Sequence, residues 1–237
     1  MKSRASRGVA TVRLDRPEIG NALSAAAVDS LEAAVAEAFA DPDVHTLVFR
    51  GRGRHFCTGF DLSGLESETD ASLRERFVAL ERLLQAVWHA PVRTVAVATG
   101  RACGAGADLF ASCDIRACAS DTTIRFPGTA FGIVLGTRRL VELVGWDRAR
   151  PLVADGATLD AAGALDARLA TDIVEGDIED WLALSCAPPV ADRLTLAALR
   201  EAARPDHRAA DLATLDRSAS RPGLVQRIET YRKSLKK

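Results

Sequence analysis

Short apolar runs alternate along this chain with longer stretches of helical periodicity. Residues 9–14 alternate apolar and polar positions and predict a strand that ends at the turn Asp15, Arg16, Pro17. Behind Ser24, a residue suited to cap a helix, residues 25–40 repeat apolar side chains at helical spacing until Asp41 and Pro42 stop them. Residues 44–49 predict a second strand, and residues 51–65, GRGRHFCTGFDLSGL, form a Gly-rich loop with Phe56 as its apolar anchor. Residues 72–90 predict a long amphipathic helix with Phe77, Leu80, Leu83, Leu84 and Val87 on one face, ended by Pro91. The apolar, β-branched run 92–98 then reads as a strand buried on both faces.

That strand breaks into Gly100, Gly104 and Gly106, and residues 107–113 predict the first turns of a helix. Residues 114–118 and 122–126 read as short strands, and 137–144 as a helix closed by Gly145. Repetition of strand, strand, helix excludes an all-α or all-β fold and favours α/β layers with right-handed crossovers. From Trp146 the character changes, and residues 146–154, 159–165, 177–184, 191–203 and 224–235 all favour helix. The chain therefore divides into an α/β core, 1–145, and a helical C-terminal region, 146–237. Residues 204–221 are polar enough to predict a mobile connection.

Composition narrows the partners. At 237 residues and 48% hydrophobic content the chain can bury a sizeable core. Lys plus Arg, 31, nearly balance Asp plus Glu, 32, so bulk charge argues for neither nucleic acid nor an anionic membrane. The basic N-terminus, MKSRASRG, precedes an apolar run too short for a signal peptide or a membrane span, and a cytoplasmic location is expected. Five cysteines without CxxC spacing read as reduced, mostly buried thiols, and four scattered histidines form no metal-spaced pair, so no metal site is expected.

Two Gly-rich corners carry the candidate chemistry. In residues 92–110, VRTVAVATGRACGAGADLF, a strand feeds a Gly-rich turn and then a helix whose first N–H groups have no intrahelical acceptor and can receive negative charge. Lack of bulk at Gly104, Ala105 and Gly106 would let a ligand carbonyl approach, with Asp108 about one turn inside. Equally, the glycines could serve packing alone and Asp108 the positive end of the helix dipole. The second corner is FCTGFDL, residues 56–62. A thioester enolate needs two backbone N–H donors converging on one oxygen, which two such corners can supply.

Here the sequence resembles the crotonase, or enoyl-CoA hydratase/isomerase, superfamily. LDRPEIGNALS at 14–24 is similar to the family's opening motif, VHTLVFRGRGRHFCTGFDLSGL at 44–65 to its first oxyanion loop, VATGRACGAGADLFASCDIR at 97–116 to its second, and TLDAAGALDARLATDIV at 158–174 to the start of its helical tail. The resemblance implies a crotonase-like fold of stacked ββα turns with a shortened helical C-terminal part, usually assembled as a homotrimer or a dimer of trimers. It implies an acyl-CoA thioester substrate, with coenzyme A as part of the substrate and no separate cofactor. It assigns the oxyanion donors to the N–H groups of Phe60 and Ala105 and the catalytic carboxyl to Asp108. The coenzyme and acyl group would lie along Cys57, Thr58, Gly59, Asp61, Leu62, Gly104, Gly128 and Thr129, and the helical region would complete the coenzyme site and the oligomer contacts.

Departures from the family pattern limit the chemistry. Hydratases of this family use two glutamates; Asp108 stands at the first position and Gly128, in RFPGTAFGI, at the second, so the two-carboxylate mechanism does not transfer. The expectation is an enzyme of the enoyl-CoA hydratase/isomerase type. The alternatives are a decarboxylase or thioesterase of the same fold, or a catalytically weak acyl-CoA-binding member. Of the single residues, Asp61 reads as a loop carboxylate accepting local N–H groups, Asp114 as a strand-edge hydrogen-bonding residue and His55 as solvated among arginines. Arg16, Arg52 and Arg54 are candidates for the coenzyme's phosphates, and Tyr231, Lys233 and Lys237 lie where the family's tail approaches the coenzyme.

Overall fold

The computed structural model describes residues 4–6 and 8–235; Lys237 lies outside them. A six-stranded sheet holds the core. Its strands are β1 (Arg4–Ser6), β2 (Val9–Leu14), β3 (Thr46–Gly51), β4 (Arg93–Ala98), β6 (Ile115–Cys118) and β9 (Asp172–Ile173), in that spatial order, parallel except for the β1–β2 pair. Between β4 and β6 come β5 (Arg101–Cys103) and α3 (Ala105–Ala111). β5 belongs to a second sheet of three strands with β7 (Thr123–Arg125) and β8 (Thr158–Asp160).

On one face of the large sheet, α1 (Ala25–Ala40) and α2 (Asp70–Trp88) bury Leu31, Val35, Phe77, Leu80 and Leu84 against Val12, Leu47 and Phe49. α7 (Ile178–Ser185) covers the other face, where Leu182 packs with Val48, Val95 and Val97. Thus β4 is buried on both sides, as its unbroken apolar run requires.

Local chemistry explains the element ends. Ser24 Oγ accepts from the Ala27 N–H at the start of α1, and a Thr69–Ser72 capping box starts α2 two residues earlier than the periodicity suggests. α4 (Thr137–Val144) and α5 (Trp146–Ala154) occupy the expected spans. α3 begins two residues before the predicted helix, at Ala105, because the turn at Gly104 ends the strand. α6 (Ala161–Asp166) is preceded by β8, and α8 (Arg193–Ala203) and α10 (Leu224–Ser234) complete the predicted tail helices.

One expectation is overturned. The polar stretch 204–221 is not a mobile connection; it holds α9 (Arg208–Ala219), which lies on α2. Leu215 and Ala219 are buried there, and ion pairs from Arg74 to Asp216 and from Arg138 to Asp211 fix its polar side. Its anchors are non-local charges, which periodicity does not report. The short strands β1, β5, β8 and β9 are also beyond the sequence reading.

Among the described residues no helix is long and apolar enough to cross a membrane.

Candidate active site

β3 and β4 are neighbouring parallel strands, so the loops leaving their carboxyl ends emerge side by side. The two loops are stitched together. Phe56 N–H donates to Thr99 O (2.8 Å), Cys57 N–H to Arg101 O (3.0 Å), and Cys103 N–H to Cys57 O (2.9 Å). Gly106 makes this approach possible, since a Cβ there would fall 2.5 Å from Cys57 O. Asn21, held at a φ of 59°, braces the first loop: its amide donates to Arg52 O and His55 O at 3.0 and 2.7 Å.

Phe60 and Ala105 end up on either side of this seam. A Cβ on Gly59 would lie 2.5 Å from Cys103 O and 3.5 Å from the Ala105 nitrogen. Leu23 pairs with the first loop through Gly59 O and the Asp61 N–H, which turns the intervening Phe60 N–H away from that pairing. Ala105 is the first residue of α3 and has no intrahelical acceptor. Among the described residues, therefore, neither amide has a backbone acceptor. The Phe60 ring stacks on Phe77 with centroids 4.4 Å apart, and the Arg76 guanidinium lies over it at 4.0 Å, which fixes the backbone at that position.

Both residues line a partly open cavity of about 550 Å³, with Thr58, Gly59, Leu62, Gly104, Asp108, Gly128 and Thr129 also in its wall. Asp108 is its sole acid among the described residues. The carboxyl is buried and takes part in none of the side-chain hydrogen bonds of the described residues, so it is not a helix cap. Burial raises its pKa well above the ordinary Asp value; the Glu81 charge adds to this and the Arg139 charge opposes it. Arg139 is itself held by Glu81 in a buried two-point pair, Nη2–Oε2 2.6 Å and Nη1–Oε1 2.9 Å.

Other expected site residues stand apart. Cys57 and Asp61 do not line the cavity. The Cys57 thiol, pushed up to about 12 by burial, donates to Asn21 O. Asp61 accepts from Ser63 and pairs with Arg16 at 2.9 Å; burial works against ionisation, but these donors outweigh it and hold the pKa below the usual value. Thr58 and Thr129 spend their hydroxyl protons on Ile19 O and Val153 O. Gly128 faces the cavity with no carboxylate beside it, and Tyr231 and Leu235 of the tail join the wall while Lys233 is exposed.

Arg16 and Arg52 are committed to Asp61 and Asp15, and His55 is half-buried, its ring nitrogen accepting from the Arg101 N–H. Burial, then the charges of Arg101 and Arg54, lower its pKa. The bases that do line the cavity are Arg101 and Arg125. Sequence pattern gave no sign of them, because the pairing of β5 with β7 is what brings them together. Among the described residues no three His, Cys, Asp or Glu side chains cluster as metal ligands.

Parallel strands delivering two amide-bearing corners to one cavity define a protein of the crotonase fold. The family model described as enoyl-CoA hydratase/isomerase matches residues 4–218, and the chain belongs to that family. It is 37% identical over 185 residues to a probable enoyl-CoA hydratase of Mycobacterium leprae, covering 75% of this chain and 73% of that one. A crystal structure of a putative enoyl-CoA hydratase/isomerase from Bordetella parapertussis is similar with a TM-score of 0.92 and 40% identity, covering 97% of both chains. An enoyl-CoA hydratase from Bacillus halodurans, 19% identical with a TM-score of 0.82 over 97% of this chain and 98% of that one, shares the fold.

Proposed function

We propose that this chain is an acyl-CoA enzyme of the hydratase type whose Phe60 and Ala105 amides hold the oxygen of a thioester enolate. The observation that carries this reading is the pair of amides without backbone acceptors beside a buried, high-pKa carboxyl. Donors already fixed in place stabilise developing charge without reorganising, and one such donor contributes about 10²–10³ in rate.

In a hydration, Asp108 in its ionised form takes a proton from water while the water oxygen bonds to Cβ. The electron pair of the Cα–Cβ double bond passes to the thioester oxygen, between the two N–H groups. Collapse of that enolate returns the proton from Asp108 to Cα. One carboxyl then serves as base and acid in turn, and its raised pKa makes it the stronger base for the first step.

A second reading rests on Gly128. With no carboxylate there, the cavity also suits decarboxylation of an acyl-CoA, a reaction that needs the enolate hole and a single proton donor. Incubation with a panel of coenzyme A thioesters followed by mass spectrometry separates the readings, since hydration adds water, decarboxylation removes carbon dioxide and hydrolysis frees coenzyme A. Unchanged masses across a panel of enoyl and carboxylated thioesters would overturn both.

A further inference from the structure

The small sheet turns one face to the cavity and supplies two arginines to its wall. Arg101 pairs in register with Thr123, and Cys103 with Arg125, which in turn pairs with Thr158. Alternation along the strands puts these five side chains on one face, together with Asp160, which pairs with Thr123, accepts from the Gly163 N–H and lies outside the cavity, and puts Ala102 and Ile124, both fully buried, on the other. All five line the cavity. Neither guanidinium enters an ion pair or a side-chain hydrogen bond among the described residues, and Arg125 Nε is sealed from solvent without an acceptor. Arg125 is half-buried with its Nε orphaned, and a ligand would complete it, while Arg101 stands exposed at the outer wall of the same cavity.

Resting on the acyl-CoA reading above, we propose that Arg101 and Arg125 form a carboxylate subsite, so that the thioester taken by this cavity carries a second, free carboxylate on its acyl group. Position favours the acyl end over the phosphates of coenzyme A. Arg125 O accepts from the Gly104 N–H at 2.9 Å, which places Arg125 beside the residue that precedes the Ala105 amide. Its guanidinium reaches under the turn before β8, where a Cβ on Gly156 would lie 3.6 Å from Nη2. An anion met there would share the cavity with an acyl group held at the Ala105 amide, whereas the diphosphate of the same coenzyme would be separated from the thioester by the pantetheine arm. Arg101, more exposed, closes the outer side, and the hydroxyls of Thr123 and Thr158 supply further donors. Planar guanidinium is matched to a carboxylate two bonds at a time.

The test compares glutaryl-CoA with pentanoyl-CoA by calorimetric titration of the full chain, then repeats the pair as pantetheine thioesters that lack the nucleotide phosphates. Glutaryl-CoA should bind roughly 10-fold or more tighter than pentanoyl-CoA, and the preference should persist in the pantetheine series. In Arg125→Met the preference should collapse, with Arg125→Lys recovering part of it; residual binding of pentanoyl-CoA reports that the variant is folded. Equal affinity of the wild-type chain for the two thioesters would overturn the proposal. So would equal weakening of both CoA thioesters in Arg125→Met with no effect in the pantetheine series, which would assign the arginines to the phosphates. Failure of the wild-type chain to bind either CoA thioester would instead remove the acyl-CoA reading, and this subsite with it.

Discussion

The Asp108 carboxyl lies against the backbone of Gly136, so closely that a Cβ on residue 136 would fall 2.1 Å from Oδ1. Gly136, the residue before α4, also has a φ of 67°. Gly136→Ala should therefore lose about 1–2 kcal/mol from the left-handed backbone alone and displace the carboxyl as well. Urea denaturation and turnover on the substrate identified by the thioester panel should fall together; a variant of unchanged stability and turnover would show that the carboxyl has room to move.

Asp108→Asn separates activity from stability. Turnover should drop about 10²–10⁴-fold with thioester binding retained. Because the folded-state pKa is raised, the folded protein holds this proton more tightly than the unfolded chain does. The stability from that proton is present below the unfolded-state pKa and is lost as pH rises through the folded one. At neutral pH the Asn variant should melt higher than the parent, and the gap should close on acidification toward the ordinary Asp value. A variant that melts lower at neutral pH would contradict the assignment of burial as the dominant cause.

The same raised pKa sets a pH profile. If Asp108 works first as a base, kcat/KM for hydration should rise with pH through its folded-state pKa, well above the ordinary Asp range. A flat profile there would exclude Asp108 as the base of the slow step.

Glu81 and Arg139 are each about 1–2% exposed and bind one another at two points. Removing one partner, as in Glu81→Leu, should cost about 3–5 kcal/mol, whereas Glu81→Leu with Arg139→Met should recover much of it. Asp211, 3.2 Å from Arg139, keeps that recovery incomplete. Equal losses in the single and double variants would show that the pair is not coupled.

Gly128 has room for a side chain. Its φ lies outside the left-handed region, and a Cβ would meet Ile133 O at 3.4 Å. Gly128→Glu should fold and add a second carboxylate to the cavity, raising hydration of crotonyl-CoA, measured as loss of enoyl absorbance. A folded, ligand-binding variant with no gain would mean that residue 128 does not face Asp108 across the substrate.

Sequence and structure agree where the determinants are local. α1 was legible because Ser24 and the Asp41–Pro42 stop bracket an uninterrupted apolar stripe, and the second Gly-rich corner because strand, turn and helix are contiguous. α9 was not legible: it owes its place to Arg74 and Arg138, which lie on other helices. Arg101 and Arg125 carry no mark in the sequence, and only the pairing of β5 with β7 puts them on one face of the small sheet. Cys57 and Asp61, adjacent in sequence to cavity residues, turn away from it because Asn21 and Arg16 hold them from outside the loop.

The amides of Phe60 and Ala105 carry a further consequence, for hydrogen exchange. Cys57 and Cys103, which stitch the loops, have bonded amides and should exchange slowly, through opening of the corner. Phe60 and Ala105 lie between and beside them with nothing on the backbone to accept their protons, and should exchange ahead of their neighbours in the empty protein. A thioester oxygen lodged between them would slow those two protons together, so the hole would register its occupant amide by amide, before any chemistry has taken place.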